Sequence, residues 1–387
     1  MPHVRTDRAD YRFLFGGFAT LLVVSFLDNA RGPLIPVLLA SLNIPYETAG
    51  LFLTVGNIAA VAATFLLGRA LQRWGERRVA IWVCFVSTLP GLLAPWVEGR
   101  WLLLLLGLLL GAAVALLGSL CSILTVKGSP PLRTARYVSF QQVMYGVGSL
   151  TAPLVFSALI AGGKPWWWLL SGSAFSLFAL GAALIRVLPQ LPPEARAIER
   201  REDPLSRSQM LVVLMFAMYV GGEVLASMWM SSLLVAEQGL NPSDAAGSLM
   251  YFFIIMAVTR FMCFLWVKPR YETRVLTLSL LCGIVLSVLG QQGYAWALPA
   301  MGIMGPFFPL CMARLSARYP KNWRQMMIFV YAGMQITLAL MHVSVGKIAD
   351  QVGMKQAFLL SPIFLSLCAL CLWAARDFRG RVAVRAA

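Results

Sequence analysis

The sequence predicts an all-α membrane protein of twelve transmembrane helices in two related six-helix bundles. The first of three observations behind this is composition: of 387 residues, 59% are apolar and 12% charged, where a soluble domain carries about 25% charge. Second, the apolar residues fall in runs long enough to cross a bilayer, which takes roughly 20 residues per helix. Third, one long polar stretch, QLPPEARAIERREDPLSRS from Gln190 to Ser208, sits midway and leaves six runs on either side. The formal net charge of +16 would suggest a nucleic-acid partner in a soluble protein. Here the bases stand in short clusters between uncharged runs, which excludes a soluble enzyme or nucleic-acid-binding module.

Taken in order, the spans are predicted at about 12–39, 47–71, 79–97, 101–127, 134–161 and 166–188, then 208–235, 243–267, 273–290, 294–318, 323–349 and 355–376. The N-terminal bundle takes residues 1–189, a cytoplasmic linker 190–207, and the C-terminal bundle 208–387. Span one follows Arg5, Arg8 and Arg12, has no small-residue cleavage site and is too long for a signal peptide. Span six opens on Trp166, Trp167 and Trp168 beside Lys164, an interfacial aromatic anchor. Sorted by gap, 26 of the 32 Lys and Arg fall on the side of the N-terminus, 4 on the other, and Arg31 and Arg260 within spans. The positive-inside rule then places both termini in the cytoplasm of a bacterial-type inner membrane. Seven cysteines, all in apolar runs, argue against a disulfide framework and read as small buried hydrophobes, including the C-x-x-C of Cys368 and Cys371.

Related halves are common in transporters, where the substrate site lies near the bilayer midplane at the repeat interface. A shift of 195 residues carries Asp28 onto Glu223 and Arg73 onto Lys268, and a shift of 194 carries Gln141 onto Gln335. A charge at mid-membrane costs about 2.5–3.5 kcal/mol even on insertion scales, so the charges within spans are candidate functional groups. Asp28 and Arg31 stand three apart on span one, just before Gly32, Pro33 and Pro36, whose prolines should bend or break the helix. Asp28 is either a proton-coupling carboxylate, with Arg31 tuning it or holding an anionic group, or half of a structural ion pair. Glu223, in YVGGEVLASMW, has no base within one turn; its compensation must come from another helix or from a proton it could load and release. Arg260 lies toward the cytoplasmic end of span eight and could reach the headgroups, as a gating or structural residue.

Span five carries Gln141, Gln142 and Tyr145, and span eleven Tyr331, Gln335 and His342. The spacings of four and seven place each set on one helical face. Paired amides with ring faces suit a polyhydroxylated ligand; interhelical hydrogen bonding would use the same residues. With Arg31, Asn57 and Trp229 they form the candidate substrate-binding set. No nucleotide-binding, zinc-protease or serine-hydrolase signature is present, so no enzymatic activity, cofactor or metal is expected, and a proton or substrate gradient is the expected energy source.

The loop GRALQRWGERR, Gly68 to Arg78, resembles the loop signature of the major facilitator superfamily, and the resemblance covers nearly the whole chain. It keeps Gly68, Arg73, Gly75 and Arg77 but has Gln72 where that pattern has Asp, and Glu76 where a base is common. A G-x-x-x-D at Gly346 to Asp350 is similar. The resemblance implies gating roles for Gly68, Arg73, Arg77 and Asp350, beside the gating or structural role read for Arg260 from its position. YVGGEVLASMW, followed by Arg260, is similar to the fucose, glucose and galactose proton-symporter branch. That branch implies sugar uptake with a carboxylate carrying the proton, and the match transfers directly to Glu223 and Trp229. Span four has no acid where the fucose-transporter pattern has one; Cys121 falls about there. The expectation is a monomeric secondary transporter working by alternating access, importing a small polar solute such as a sugar with protons, with Asp28 and Glu223 as proton-coupling residues. Its partners are the solute, protons and the lipid bilayer, with no nucleic acid. Export of drugs or amphiphiles, or import of an anion such as a siderophore or organic acid anchored on Arg31, are the alternatives.

Overall fold

A computed structural model describes residues 9–130, 133–189, 204–267, 271–319, 322–375 and 378. Arg5, Arg8, Lys268 and residues 190–203 of the expected linker lie outside them. The described residues hold helices and connecting turns, with no strand, and eleven helices are long and apolar enough to cross a membrane. The chain is a multi-pass membrane protein.

Eleven rather than twelve reflects one junction. The second and third expected spans run together from Tyr46 to Trp96. Inside the helix α2 (Tyr46–Val86), Gly75 has φ 75 and ψ 164, which breaks it. Only glycine adopts that region without strain, so the connection needs one residue rather than a loop. A helix of the remaining length, α3 (Leu89–Leu93), and a 3-10 turn then complete the third span.

By contacts the chain falls into two units, Met1–Ile44 with Leu51–Ile198, and Pro45–Gly50 with Glu199–Ala387. The first holds α1 (Tyr11–Leu42), α4 (Arg100–Gly128), α5 (Thr134–Ala161) and α6 (Trp167–Val187) beside most of α2 and α3. Helix α1 packs on α4, α5 and α6, and α3 packs on α6 and α4. Helix α1 starts where Asp10 accepts from Arg12 N, and it stops at Asn43, a left-handed residue with φ 49. It runs unbroken through Pro33 and Pro36. Of the expected bend or break, the break is absent, because membrane helices re-satisfy backbone groups freed by proline through neighbouring helices and side chains.

The second unit holds α7 (Arg207–Gln238), α8 (Pro242–Trp266), α9 (Glu272–Gln291), α10 (Ala297–Ala300), α11 (Phe307–Arg318), α12 (Trp323–Val352), α13 (Met354–Ala357) and α14 (Leu360–Ala374). A capping box of Ser206 and Gln209 starts α7, which packs on α14, α12 and α8. In each unit the first helix is therefore the central one. Helix α1 carries Asp28 and Arg31, and α7 carries Glu223.

Lipid offers no hydrophobic drive between helices, so close contact relies on small residues. In the first unit Gly56 of α2 meets Gly107 and Gly111 of α4: a Cβ on Gly111 would collide with the Gly56 backbone, and one on Gly107 with Phe52 O. Neither clash can be relieved by a rotamer. Gly111→Leu should lower the thermal stability of the purified protein by about 1–3 kcal/mol, the usual cost of overpacking. Gly118→Ala, on the same helix, should change it little, because its Cβ would meet nothing within 4 Å. Equal losses in the two variants would remove this contact from the account.

Candidate functional site

In the first unit the polar groups gather where α1 meets α5. Arg31 Nη2 donates to Asp28 Oδ1, and Nε donates to Asp28 O at 3.2 Å, so the pair expected from the spacing forms within one helix. Their side chains are 12% and 25% exposed, which leaves an edge of each open. Tyr145 lies within electrostatic reach of Arg31. On the same turn of α1, Asn29, 4% exposed, donates from Nδ2 to Ser25 O at 2.8 Å, Ser149 Oγ at 2.9 Å and Tyr145 OH at 3.5 Å. Ser25 O can only accept, and the Ser149 hydroxyl donates to Tyr145 O at 2.8 Å. The amide orientation of Asn29 is thereby fixed by its partners rather than by choice.

Gln141 is buried near the Cys121 thiol, yet its Nε2 has no hydrogen bond of acceptable geometry. Asn57 Nδ2 is likewise buried and unpartnered. Buried amide donors are rarely left so; these are groups that a bound solute or water could satisfy. Gln142 is exposed on the same helix, away from Gln141.

In the second unit Glu223 has a side chain 13% exposed, and Arg260 Nη2 of α8 reaches its Oε1 at 3.4 Å. Arg260 Nε donates to Gly305 O at 2.9 Å. The compensation for Glu223 does come from another helix. The expectation that Arg260 reaches the headgroups is corrected: it turns inward, because a carboxylate and a free carbonyl lie within its length. Beside it, Tyr219 donates to Met304 O at 3.0 Å and stacks on Phe307 with centroids 4.4 Å apart.

Trp229, fully buried, donates from Nε1 to His342 Nδ1 at 3.0 Å. Indole is a donor only, so Nδ1 of His342 is the acceptor and carries no proton here. The two are brought together by α7 and α12, and neither ring is open as a platform in this conformation. Gln335 is half-buried, with Oε1 buried and unpartnered, and Tyr331 is 52% exposed on the same helix. Asp350 accepts from Tyr46 N at 2.8 Å and Glu47 N at 2.7 Å, capping the first turn of α2, which clusters with this unit. Gly68 is half-buried and Arg73 exposed, whereas Arg77 Nη2 donates to Ile185 O at 2.6 Å.

The sequence reading missed Asn29 and Ser149, because uncharged polar residues in a span carry no cost large enough to flag them. It also missed two ion pairs. Glu76 Oε1 lies 2.7 Å from Lys127 Nζ. Arg314 Nε lies 3.8 Å from Glu272 Oε2, while Nη1 and Nη2 donate to Thr273 Oγ1 and Phe378 O, each at 2.7 Å. Glu272 follows Glu76 by 196 positions, so the repeat offset already held this signal. No group of three or more His, Cys, Asp or Glu suited to a metal occurs among the described residues.

In both units polar and charged groups are enclosed by membrane helices, paired with one another yet incompletely satisfied. The family model of the Major Facilitator Superfamily matches residues 15–305, and the chain belongs to that superfamily. Curated relatives include the multidrug resistance protein MdtG of Salmonella arizonae and of Salmonella paratyphi B, each 28% identical over 169 residues. The match spans 42% of this chain and 42% of the length of those relatives. Among solved structures the chain is similar to the D-xylose-proton symporter (TM-score 0.72, 12% identity, 94% of this chain and 97% of that one). It is also similar to the nucleoside transporter NupG (TM-score 0.71, 13% identity, 95% and 98%), and to a bacterial homolog of the human lysosomal transporter Spinster in an inward-facing, occupied conformation (TM-score 0.69, 12% identity, 94% and 96%). At these identities the likeness concerns the fold.

Arg260→Gln leaves Glu223 without its base. Arg260 is 34% exposed, so the loss should be about 1–3 kcal/mol, below the roughly 3–5 kcal/mol of a fully buried broken pair. The double variant with Glu223→Gln should recover most of it in thermal unfolding. Strictly additive losses would show that the two residues do not interact.

Proposed function

We propose that the protein is a proton-coupled secondary transporter of a small polar solute, working by alternating access in a bacterial-type inner membrane with both termini cytoplasmic. The observation that carries this reading is the Glu223–Arg260 contact. Its distance of 3.4 Å is long for a charge-assisted hydrogen bond, and Arg260 is shared with Gly305 O. The negative charge of Glu223 can therefore be met in two ways, by Arg260 or by a proton. Protonation would release Arg260 from the carboxylate and change how α7 and α8 are tied, which gives the proton a differential effect on two conformations. Asp28 is the second candidate coupling residue, although its base sits on its own helix.

The first unit favours a polar cargo. Asn29, Gln141, Tyr145 and Ser149 supply neutral donors and acceptors, which suit hydroxyl or amide groups rather than an ion. Arg31 is already met by Asp28, so the geometry lends an anionic solute no support. Gln335, Tyr331 and the Trp229–His342 pair are the proposed contributions of the second unit. Export of drugs remains a second reading, favoured by the MdtG likeness.

Proteoliposomes loaded at one pH and diluted into another separate these readings. A pentose, a nucleoside and a lipophilic cation would serve as labelled probes. Accumulation of a polar probe under an inward proton gradient supports import, and Glu223→Gln should abolish the gradient dependence while leaving exchange of pre-loaded solute within about twofold. Proton-driven movement of the lipophilic cation alone would replace this reading with export.

A further inference from the structure

We propose that the basic end of the first unit, where the Gly68–Arg78 segment meets the end of α6, binds the phosphate of an anionic phospholipid headgroup. The segment carries Arg69, Arg73, Arg77 and Arg78 against one acid, Glu76. That acid is withdrawn from the local balance, since Glu76 pairs with Lys127 at 2.7 Å with side chains only 13% and 17% exposed. The break at Gly75 sets Arg77 on the far side of the helix interruption from Arg73. Arg77 Nη2 then donates to Ile185 O at 2.6 Å, which plants its guanidinium against the last turn of α6, beside the exposed Arg186.

This arginine differs from others in the structure. Arg31, Arg260 and Arg314 each reach a carboxylate. Among the described residues Arg77 reaches no carboxylate: its Nη2 donates to a single carbonyl, and the side chain stays partly exposed. A guanidinium offers five donors in a planar fork matched to phosphate. Arg77 is thus oriented, under-coordinated and flanked by further bases with their one nearby acid already spent.

The occupant is a lipid rather than a free anion because apolar surface continues from the bases. Trp74 is 48% exposed, an indole of the kind that settles at the membrane boundary. About two turns back along α2 from Trp74, Phe65 and Leu66 are 72% and 60% exposed. A headgroup phosphate on the arginines would lay its acyl chains along those residues, satisfying charge and apolar surface together. Basic pockets at the ends of membrane helices bind anionic headgroups by this logic.

The test uses the purified, delipidated full-length protein, titrated with phosphatidylglycerol or phosphatidylcholine and read by native mass spectrometry. Wild type should hold phosphatidylglycerol at least fivefold more tightly than phosphatidylcholine. Arg77→Gln and Arg186→Gln should each weaken that binding about fivefold, and Arg318→Gln, an exposed base of the second unit, should leave it unchanged. Should Arg77→Gln not fold, the exposed Arg186 decides the matter alone. Equal affinity for the two lipids, or an undiminished preference in Arg186→Gln, would overturn the proposal. Full displacement of phosphatidylglycerol by millimolar inorganic phosphate would overturn the lipid assignment.

Discussion

Charge inside hydrocarbon is tolerated only where something answers it, and the arrangement of both units follows from that constraint. Asp28, Arg31, Glu223 and Arg260 stand in membrane helices, where each would cost about 2.5–3.5 kcal/mol alone. The first unit answers with a base one turn along the same helix. The second answers from the neighbouring helix, at 3.4 Å and shared with a carbonyl. The difference is physical rather than cosmetic. A pair within one helix needs no tertiary structure, whereas a pair between α7 and α8 ties protonation to the relation of two helices. The most buried span of each unit, α1 and α7, carries the carboxylate, whereas Arg260 stands on the less buried α8 and reaches in to Glu223.

The neutral polar groups obey a weaker form of the rule. Asn29 uses its Nδ2 fully against Ser25, Ser149 and Tyr145. Gln141 and Asn57 keep buried amide nitrogens without partners. Satisfied groups hold the helices together, and the unsatisfied ones are buried donors that the proposed function would pair with a bound solute. The basic ends show the same division. Lys127 and Arg314 reach Glu76 and Glu272 within their own units, and Arg77 reaches a carbonyl and, among the described residues, no carboxylate.

Most of the fold was legible in the sequence because a bilayer makes length and polarity strict. The spans, the polar middle and the cost of four charges could be read from the order of residues alone. The Asp28–Arg31 pair was legible too, since helical spacing fixes it. What could not be read depended on tertiary reach. Arg260 has a long side chain with two directions open to it, and only the packed position of Gly305 and Glu223 decides between them. Trp229 and His342 are 113 residues apart, and nothing local announces that one donates to the other. The missing loop between the second and third spans turned on the single backbone conformation of Gly75.

The central claim is that Glu223 exchanges Arg260 for a proton. Infrared difference spectroscopy of the reconstituted protein, stepped between acidic and alkaline buffer, observes that exchange at the carboxyl group itself. The account predicts a protonated-carboxyl stretch that appears on acidification and is missing from Glu223→Gln, together with a guanidinium band shift missing from Arg260→Gln. A carboxyl signal of the same size in Glu223→Gln as in wild type would contradict it.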